Sequence, residues 1–277
     1  DSGLIDAVII STPPDSHYRW ARASLERGLH SVLEKPMSLT AKEADDLLAL
    51  ATERGLTLVV YQNRRFDPDF VTMRRLIEDG TLGEVFAYES FVGGYSRPCD
   101  YWHSDADVSG GAIFDWGSHY IDQILQLFPS EIAHVTGINH KRHWHHVTNA
   151  DHAEVTIVFT DGTHARFVNS DLSAARKPKF QVWGTQGALT ADWDPAAEPA
   201  VADLPAQLTL HLADMTSAYV PLDIVEPYTF HRELAGHLLR GEPMQVTAVG
   251  SRNVVAIMEA AEESARTGSV PVTPTLL

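Results

Sequence analysis

The reading of the fold turns on AVIISTPPDSHYRWARASLERGLHSVLEKPMS, residues 7–38. Ala7-Val8-Ile9-Ile10 is a continuous apolar run, the pattern of a strand covered on both faces rather than one that alternates. Ser11-Thr12-Pro13-Pro14-Asp15 breaks it, and the spacing predicts a helix over 16–27 stopped by Gly28. Ser31-Val32-Leu33 reads as a second strand, and it ends on Glu34-Lys35-Pro36. Pro36 holds the chain just beyond that strand, which helps to aim Lys35 over its carboxyl end.

Working outward, Thr40 and Glu43 have capping-box spacing, with Glu43 expected to reach back to Thr40. Ala44, Leu47, Leu48 and Ala51 give the helix that follows an apolar stripe, and Gly55 ends it. Leu58-Val59-Val60-Tyr61 is a third strand. Strands alternating with helices over short links imply a parallel sheet with right-handed crossovers, half of a doubly wound nucleotide-binding fold. Ligands in such sheets sit at the carboxyl ends of the strands, where Thr12-Pro13, Glu34-Lys35 and Gln62-Asn63 fall.

Beyond Arg65 the pattern changes. A helix over 68–78 is followed by strand-like segments at 85–92, 132–138, 153–159, 164–169 and 180–184. Asp161-Gly162 is a hairpin turn signal. The expected organisation is a parallel half-sheet over 1–63 and an α+β domain over 64–277, built on a largely antiparallel open sheet packed on helices. Residues 191–204 read as surface loop, and two helices, over 229–240 and 252–267, close the chain.

Bulk properties exclude some partners. Lys+Arg 21 against Asp+Glu 37 gives a net charge of −16, which argues against nucleic acid or anionic membrane. No apolar run approaches the ~18 residues needed to span a bilayer. Residues 1–6 have neither the basic nor the apolar part of a signal peptide. A single cysteine, Cys99, rules out a disulfide framework, fits a cytoplasmic location and has no evident activating base.

The segment Gly110-Gly111-Ala112-Ile113-Phe114-Asp115-Trp116-Gly117-Ser118-His119-Tyr120-Ile121-Asp122 opens a helix running to about residue 128. Asp115, His119 and Asp122 share one stripe of it. A carboxylate one turn from an imidazole can orient it as a general base. Equally, Asp115 is a favourable charge at a helix start and His119 a satisfied surface histidine. Asp122 is expected to make local helix or interface contacts, and Gly117 to admit a close neighbour.

These motifs together resemble the glucose-fructose oxidoreductase and inositol dehydrogenase (Gfo/Idh/MocA) superfamily. The resemblance rests on Glu34-Lys35-Pro36 after a strand, and on Gly110-Gly111 with Asp115-Trp116-Gly117-Ser118-His119. Ser11-Thr12-Pro13-Pro14 with His17, Asn63-Arg64-Arg65-Phe66, Gly184-Thr185 with Gly187, and Glu263-Ser264-Ala265-Arg266-Thr267-Gly268 extend it over most of the chain. It implies hydride transfer between a sugar, inositol or polyol hydroxyl and NAD or NADP, in a homo-oligomer (dimer or tetramer). Lys35, Asp115 and His119 are then the catalytic trio. Ser11, Thr12, Pro13, His17, Glu34, Lys35 and Arg65 match positions lining the cofactor. The family's Gly-rich phosphate turn and ribose reader do not occur in the chain, so it reads as an N-terminally shortened member.

Tyr95, Arg97, Tyr101, Trp102 and His103 lie in the loop before Gly110 and offer aromatic faces with polar tips suited to a sugar ring; they could equally pack the loop or an interface. The run His140-Lys141-Arg142-His143-Trp144-His145-His146 would put His143 and His145 on one face of a strand, but Lys141 and Arg142 oppose a metal. A wet strand end or pocket rim is expected there instead, and no metal site. Rival readings are an NAD-assisted glycosidase acting by transient oxidation, a non-catalytic sugar or dinucleotide sensor, and a metal-dependent hydrolase.

Overall fold

The structure is a computed structural model that describes residues 3–193 and 205–277. Its first layer is a parallel sheet of β1 (Ala7–Ile10), β2 (His30–Leu33) and β3 (Leu58–Val60), in that order. The crossovers are α1 (His17–Glu26) and α2 (Ala41–Arg54). Thr40 caps α2, its Oγ1 accepting from the Glu43 amide at 3.2 Å. The Glu43 carboxylate reaches one residue further back than a capping box requires, to the Leu39 amide at 3.3 Å.

After α3 (Pro68–Glu78), strand β4 (Val85–Gly93) enters a second, larger sheet. The short α4 (Ala106–Ser109) and the long α5 (Ala112–Leu127) come next. Strands β5 (Ile132–His140), β6 (His152–Phe159), β7 (His164–Ser170), β8 (Phe180–Gly184), β9 (Gly187–Asp192), β10 (Gln207–Leu212) and β11 (Ser217–Val220) complete the sheet. Its order is β11-β10-β9-β8-β4-β7-β6-β5, antiparallel throughout except for the β4–β7 pair. Helices α6 (Thr229–Arg240) and α7 (Ala248–Arg266) follow. The fold is thus half a doubly wound sheet joined to a mostly antiparallel sheet covered by helices.

Three strands lie beyond those read from the sequence. Residues 191 and 192 finish β9 rather than opening a loop, and 194–204, the rest of that expected loop, lie outside the described residues. Along β6 the alternation is strict: Ala153, Val155, Ile157 and Phe159 are buried beneath the helices. The space at Gly117 is taken by the ring of Phe167 from β7.

Helix α5 positions everything that follows. Ile113, Phe114, Tyr120, Ile121 and Ile124 sink into the core, Tyr120 stacking on Phe167 at 5.3 Å between centroids. Its polar residues Ser118, His119, Asp122 and Gln123 are buried as well. Most of them meet the loops at the carboxyl ends of the parallel sheet. Gln62 Nε2 donates to the Ser118 carbonyl at 3.2 Å, and Gln123 Nε2 to the Arg64 carbonyl at 2.8 Å. A buried polar group left unbonded costs stability, so this pattern sets how helix and sheet dock.

Candidate active site

Lys35 leaves the end of β2 through a cis peptide to Pro36. Its Nζ lies 2.6 Å from Asp115 Oδ1 and donates also to the Asp115 carbonyl at 3.2 Å. Asp115 is in the first turn of α5, where a carboxylate is favoured. That turn is entered through Gly110 and Gly111, both at positive φ (88° and 105°). A side chain on Gly110 would collide with Phe114 and Leu39.

The carboxylate that was expected to orient His119 is therefore engaged by Lys35. His119 Nδ1 is buried and has no hydrogen-bond partner among the described residues. Burial first, then the nearby charges of Lys35 and Arg64, hold the imidazole well below its ordinary pKa. The ring is thus a neutral base at physiological pH. It lies beside Trp116, centroids 5.9 Å apart, and one turn along α5 from the Asp115 carboxylate.

A cavity of about 160 Å³ opens at the strand ends, with Ser11, Thr12, Glu34, Lys35 and Asp115 in its wall. Pro14 rather than Pro13 lines it; the Pro13 carbonyl accepts from the Ser16 amide and hydroxyl and closes the turn. Trp102 and His103 face the cavity from the other side, their rings stacked at 3.6 Å. Burial lowers the pKa of His103, with Asp115 and Lys35 pulling in opposite directions.

Two of the expected cofactor residues have other occupations. His17 is fully buried, with Nδ1 2.7 Å from the Pro36 carbonyl and Nε2 2.8 Å from the Thr12 carbonyl. It ties together the two loops that carry Thr12 and Lys35, and its ring is closed off from a cofactor. Arg65 is also buried, its Nε and Nη2 each 2.6 Å from the Asp122 carboxylate and its Nη1 2.6 Å from the Gln245 carbonyl. Asp122 accordingly makes a long-range ion pair, neither a local helix contact nor an interface one.

Tyr95 and Arg97 do not join the cavity wall. Tyr95 packs near His143 and Trp144, and Arg97 pairs with Asp100 at 3.0 Å on the surface. The histidine-rich run departs from a strand at Lys141 and curls around Asp151. The Asp151 carboxylate accepts from the amides of Arg142, His143 and Trp144 and from Lys141 Nζ, which depresses its pKa. His143 and His145 consequently share no strand face, while His146 does rim a pocket. Among the described residues no cluster of three His, Cys, Asp or Glu side chains has the geometry of a metal site. No described helix is long and apolar enough to cross a membrane.

Sequence reasoning missed Asp171, just after β7. Burial raises its carboxyl to about 6, helped by the charge of Asp151 and, more weakly, of Asp115. No motif flags it, because its surroundings come from loops far away in the chain.

Fold and site together define a class, the nicotinamide-dependent oxidoreductases built on a Rossmann sheet. Two family descriptions match the chain: an oxidoreductase family with NAD-binding Rossmann fold over residues 1–62, and the GFO/IDH/MocA C-terminal domain over residues 70–190. The scyllo-inositol 2-dehydrogenase (NADP(+)) of Bacillus subtilis is 30% identical over 279 residues, covering 95% of this chain and 77% of that protein. An Escherichia coli oxidoreductase, YdgJ, is 34% identical over 189 residues; the match takes in 66% of this chain and about half, 52%, of that relative. A solved Bacillus subtilis oxidoreductase, yvaA, superimposes with a TM-score of 0.87 at 28% identity, covering 99% of this chain and 82% of that one. The chain belongs to the Gfo/Idh/MocA family of oxidoreductases.

Proposed function

We propose that this chain transfers hydride between a hydroxyl-bearing carbon of a sugar, inositol or related polyol and NAD or NADP. One observation carries the reading. A lysine ammonium and its carboxylate partner face a cavity at the carboxyl edge of a parallel sheet, beside a buried imidazole whose Nδ1 is unbonded. The residues present fit the nicotinamide end of a dinucleotide: Ser11, Thr12 and Glu34 line the strand-end side beside the Lys35 ammonium. When bound, the nicotinamide supplies the hydride acceptor or donor.

The chain's own part is proton handling. A hydroxyl carbon gives up hydride readily only as its oxygen becomes alkoxide. Lys35 Nζ stabilises that developing charge, and His119, held neutral, is the base that takes up the proton. Asp115 fixes the ammonium through the 2.6 Å contact. His17 holds the loops bearing Thr12 and Lys35 at their relative position. The relative named as a scyllo-inositol 2-dehydrogenase (NADP(+)) supports a polyol among the substrates and NADP as a cofactor.

The test is a screen of sugars, inositols and polyols, following nicotinamide absorbance with each cofactor. Lys35→Ala and His119→Ala are each expected to lower kcat by ~10²-fold or more with the fold intact by circular dichroism. Near-normal turnover in both variants sinks the assignment.

A further inference from the structure

Both members of the Lys35–Asp115 pair depend on how a helix starts. Asp115 is in the first turn of α5, and the loop from Lys35 leads into α2. One face of α7 reaches both starts. Glu259 Oε2 accepts from the amide of Ala41, the first residue of α2, at 3.2 Å, and Arg252 pairs with Asp45 one turn further on at 2.7 and 2.9 Å. Glu262 follows Glu259 at i+3, on the same face of α7, and lies at the start of α5.

That start is loosely made from its own residues. Gly111 is the N-cap; it has no side chain to bond the helix amides, and its φ of 105° is one that few other residues adopt. Its amide donates to Ser109 Oγ at 3.2 Å. Glu262 takes the space that a side chain at 111 would need, since a Cβ there would be 3.1 Å from Glu262 Oε1. Oε1 is buried and has no hydrogen-bond partner among the described residues, whereas Oε2 accepts from Asn139 Nδ2 at 2.7 Å. The carboxylate is thus anchored from β5 through one oxygen and set against the entry of α5 with the other. Gly110, next to it, packs on Leu39 from the loop that follows Lys35, so a shift of this corner moves Asp115 relative to Lys35. The outer side of the contact borders a cavity of about 870 Å³, with Glu259, Glu262, Glu263 and Arg252 in its wall. Shortening Glu262 therefore removes a stop at the edge of a cavity and takes nothing from the apolar core.

We propose that Glu262 is a positioning residue for hydride transfer. It fixes the first turn of α5, and with it the Asp115 carboxylate that aims the Lys35 ammonium. This rests on the oxidoreductase reading above and adds to it a residue from outside the wall of the active-site cavity.

The experiment makes two measurements on the full chain. One is steady-state kinetics with the best substrate and cofactor of the screen above. The other is pulse-labelling of Lys35 by acetic anhydride, read by mass spectrometry, which needs neither. Glu262→Ala is expected to lower kcat about tenfold while KM for the nicotinamide stays within about twofold. Lys35 should be acetylated severalfold faster in it, as the ammonium loses its hold on Asp115. Glu262→Gln keeps the shape and can still accept from Asn139, so it should recover most of the loss. Glu263→Ala takes the same charge from the same cavity wall and should change neither measurement. If circular dichroism shows Glu262→Ala unfolded, Asn139→Ala frees the carboxylate without touching α7, and the same changes are expected in smaller degree. An unchanged labelling rate overturns the proposal whatever kcat does, and so does an unchanged kcat in an active enzyme. A glutamine as damaging as alanine, or Glu263→Ala matching Glu262→Ala, overturns it too, since charge rather than position would then be the agent. If the unaltered chain turns over no sugar or polyol, the oxidoreductase reading falls and the labelling decides alone. A faster rate in Glu262→Ala then upholds the hold of Glu262 on the pair.

Discussion

His119 owes its neutrality to its neighbours. Burial and the charges of Lys35 and Arg64 all penalise the imidazolium, so the ring stays neutral well below the ordinary histidine pKa. The sign follows directly. Removing a nearby cation makes protonation easier, raises the pKa, and moves the acidic limb of kcat/KM to higher pH. Arg64→Gln should shift that limb upward while leaving the plateau within a few-fold, ~1 kcal/mol or less of transition-state energy; a pH–rate profile checks it, and an unmoved limb contradicts it. At this scale the sequence was partly legible. Lys35 and His119 sit in motifs that name them; Lys35 lines the crevice at the strand ends, while His119 is buried and is not part of that cavity's wall. For His17 and Arg65 the sequence was not legible, because a polar side chain beside a strand end has the same local signature whether it faces a cofactor or braces the loops. Only distant partners, the Pro36 carbonyl and the Asp122 carboxylate, separate the two cases.

Among the elements, α7 and β5 meet at backbone distance. A Cβ on Gly137 would lie 1.9 Å from the Ala261 carbonyl oxygen. The contact is sealed by Ser264 Oγ accepting from the Gly137 amide at 3.0 Å and by Ser269 Oγ donating to its carbonyl at 3.0 Å. Gly137→Ala should therefore cost ~1–3 kcal/mol or more as helix and strand are forced apart. Ser264→Ala removes only a hydrogen bond, for ~1 kcal/mol. Urea denaturation of both variants tests the order; an alanine at 137 milder than one at 264 would refute it. Periodicity found α2, α3, α5 and α6 close to their observed bounds. It started the last helix late, at residue 252, because the cap at Thr247 precedes the apolar stripe. The strands from β9 onward were less legible, being short and half polar, and paired by contacts that a local window does not contain. The histidine-rich turn is the same lesson, since the carboxylate that shapes it lies on Asp151, beyond the run.

For the whole molecule, the two sheets are joined through polar groups that each would be costly alone. Arg65 and Asp122 are both almost completely buried and meet through two 2.6 Å contacts. Asp122→Leu strands the guanidinium and should cost ~3–5 kcal/mol, whereas Arg65→Met with Asp122→Leu should recover most of that loss. Equilibrium unfolding of the single and double variants decides it; equal losses would mean the pair is not coupled. On the far side of the junction, Arg252 of α7 holds Asp45 of α2 at 2.7 and 2.9 Å. The fold class was readable from the order of strands and helices, but this docking was not, since each bond joins residues far apart in the chain. The 2.6 Å contact between Lys35 and Asp115 has one more consequence. At rest the ammonium is parked on its own carboxylate, so an arriving hydroxyl does not meet a free charge but trades places with an oxygen already there. The net attraction for the ground state is correspondingly small. What the resting pair preserves is aim, an ammonium already oriented and partly stripped of water when the alkoxide begins to form.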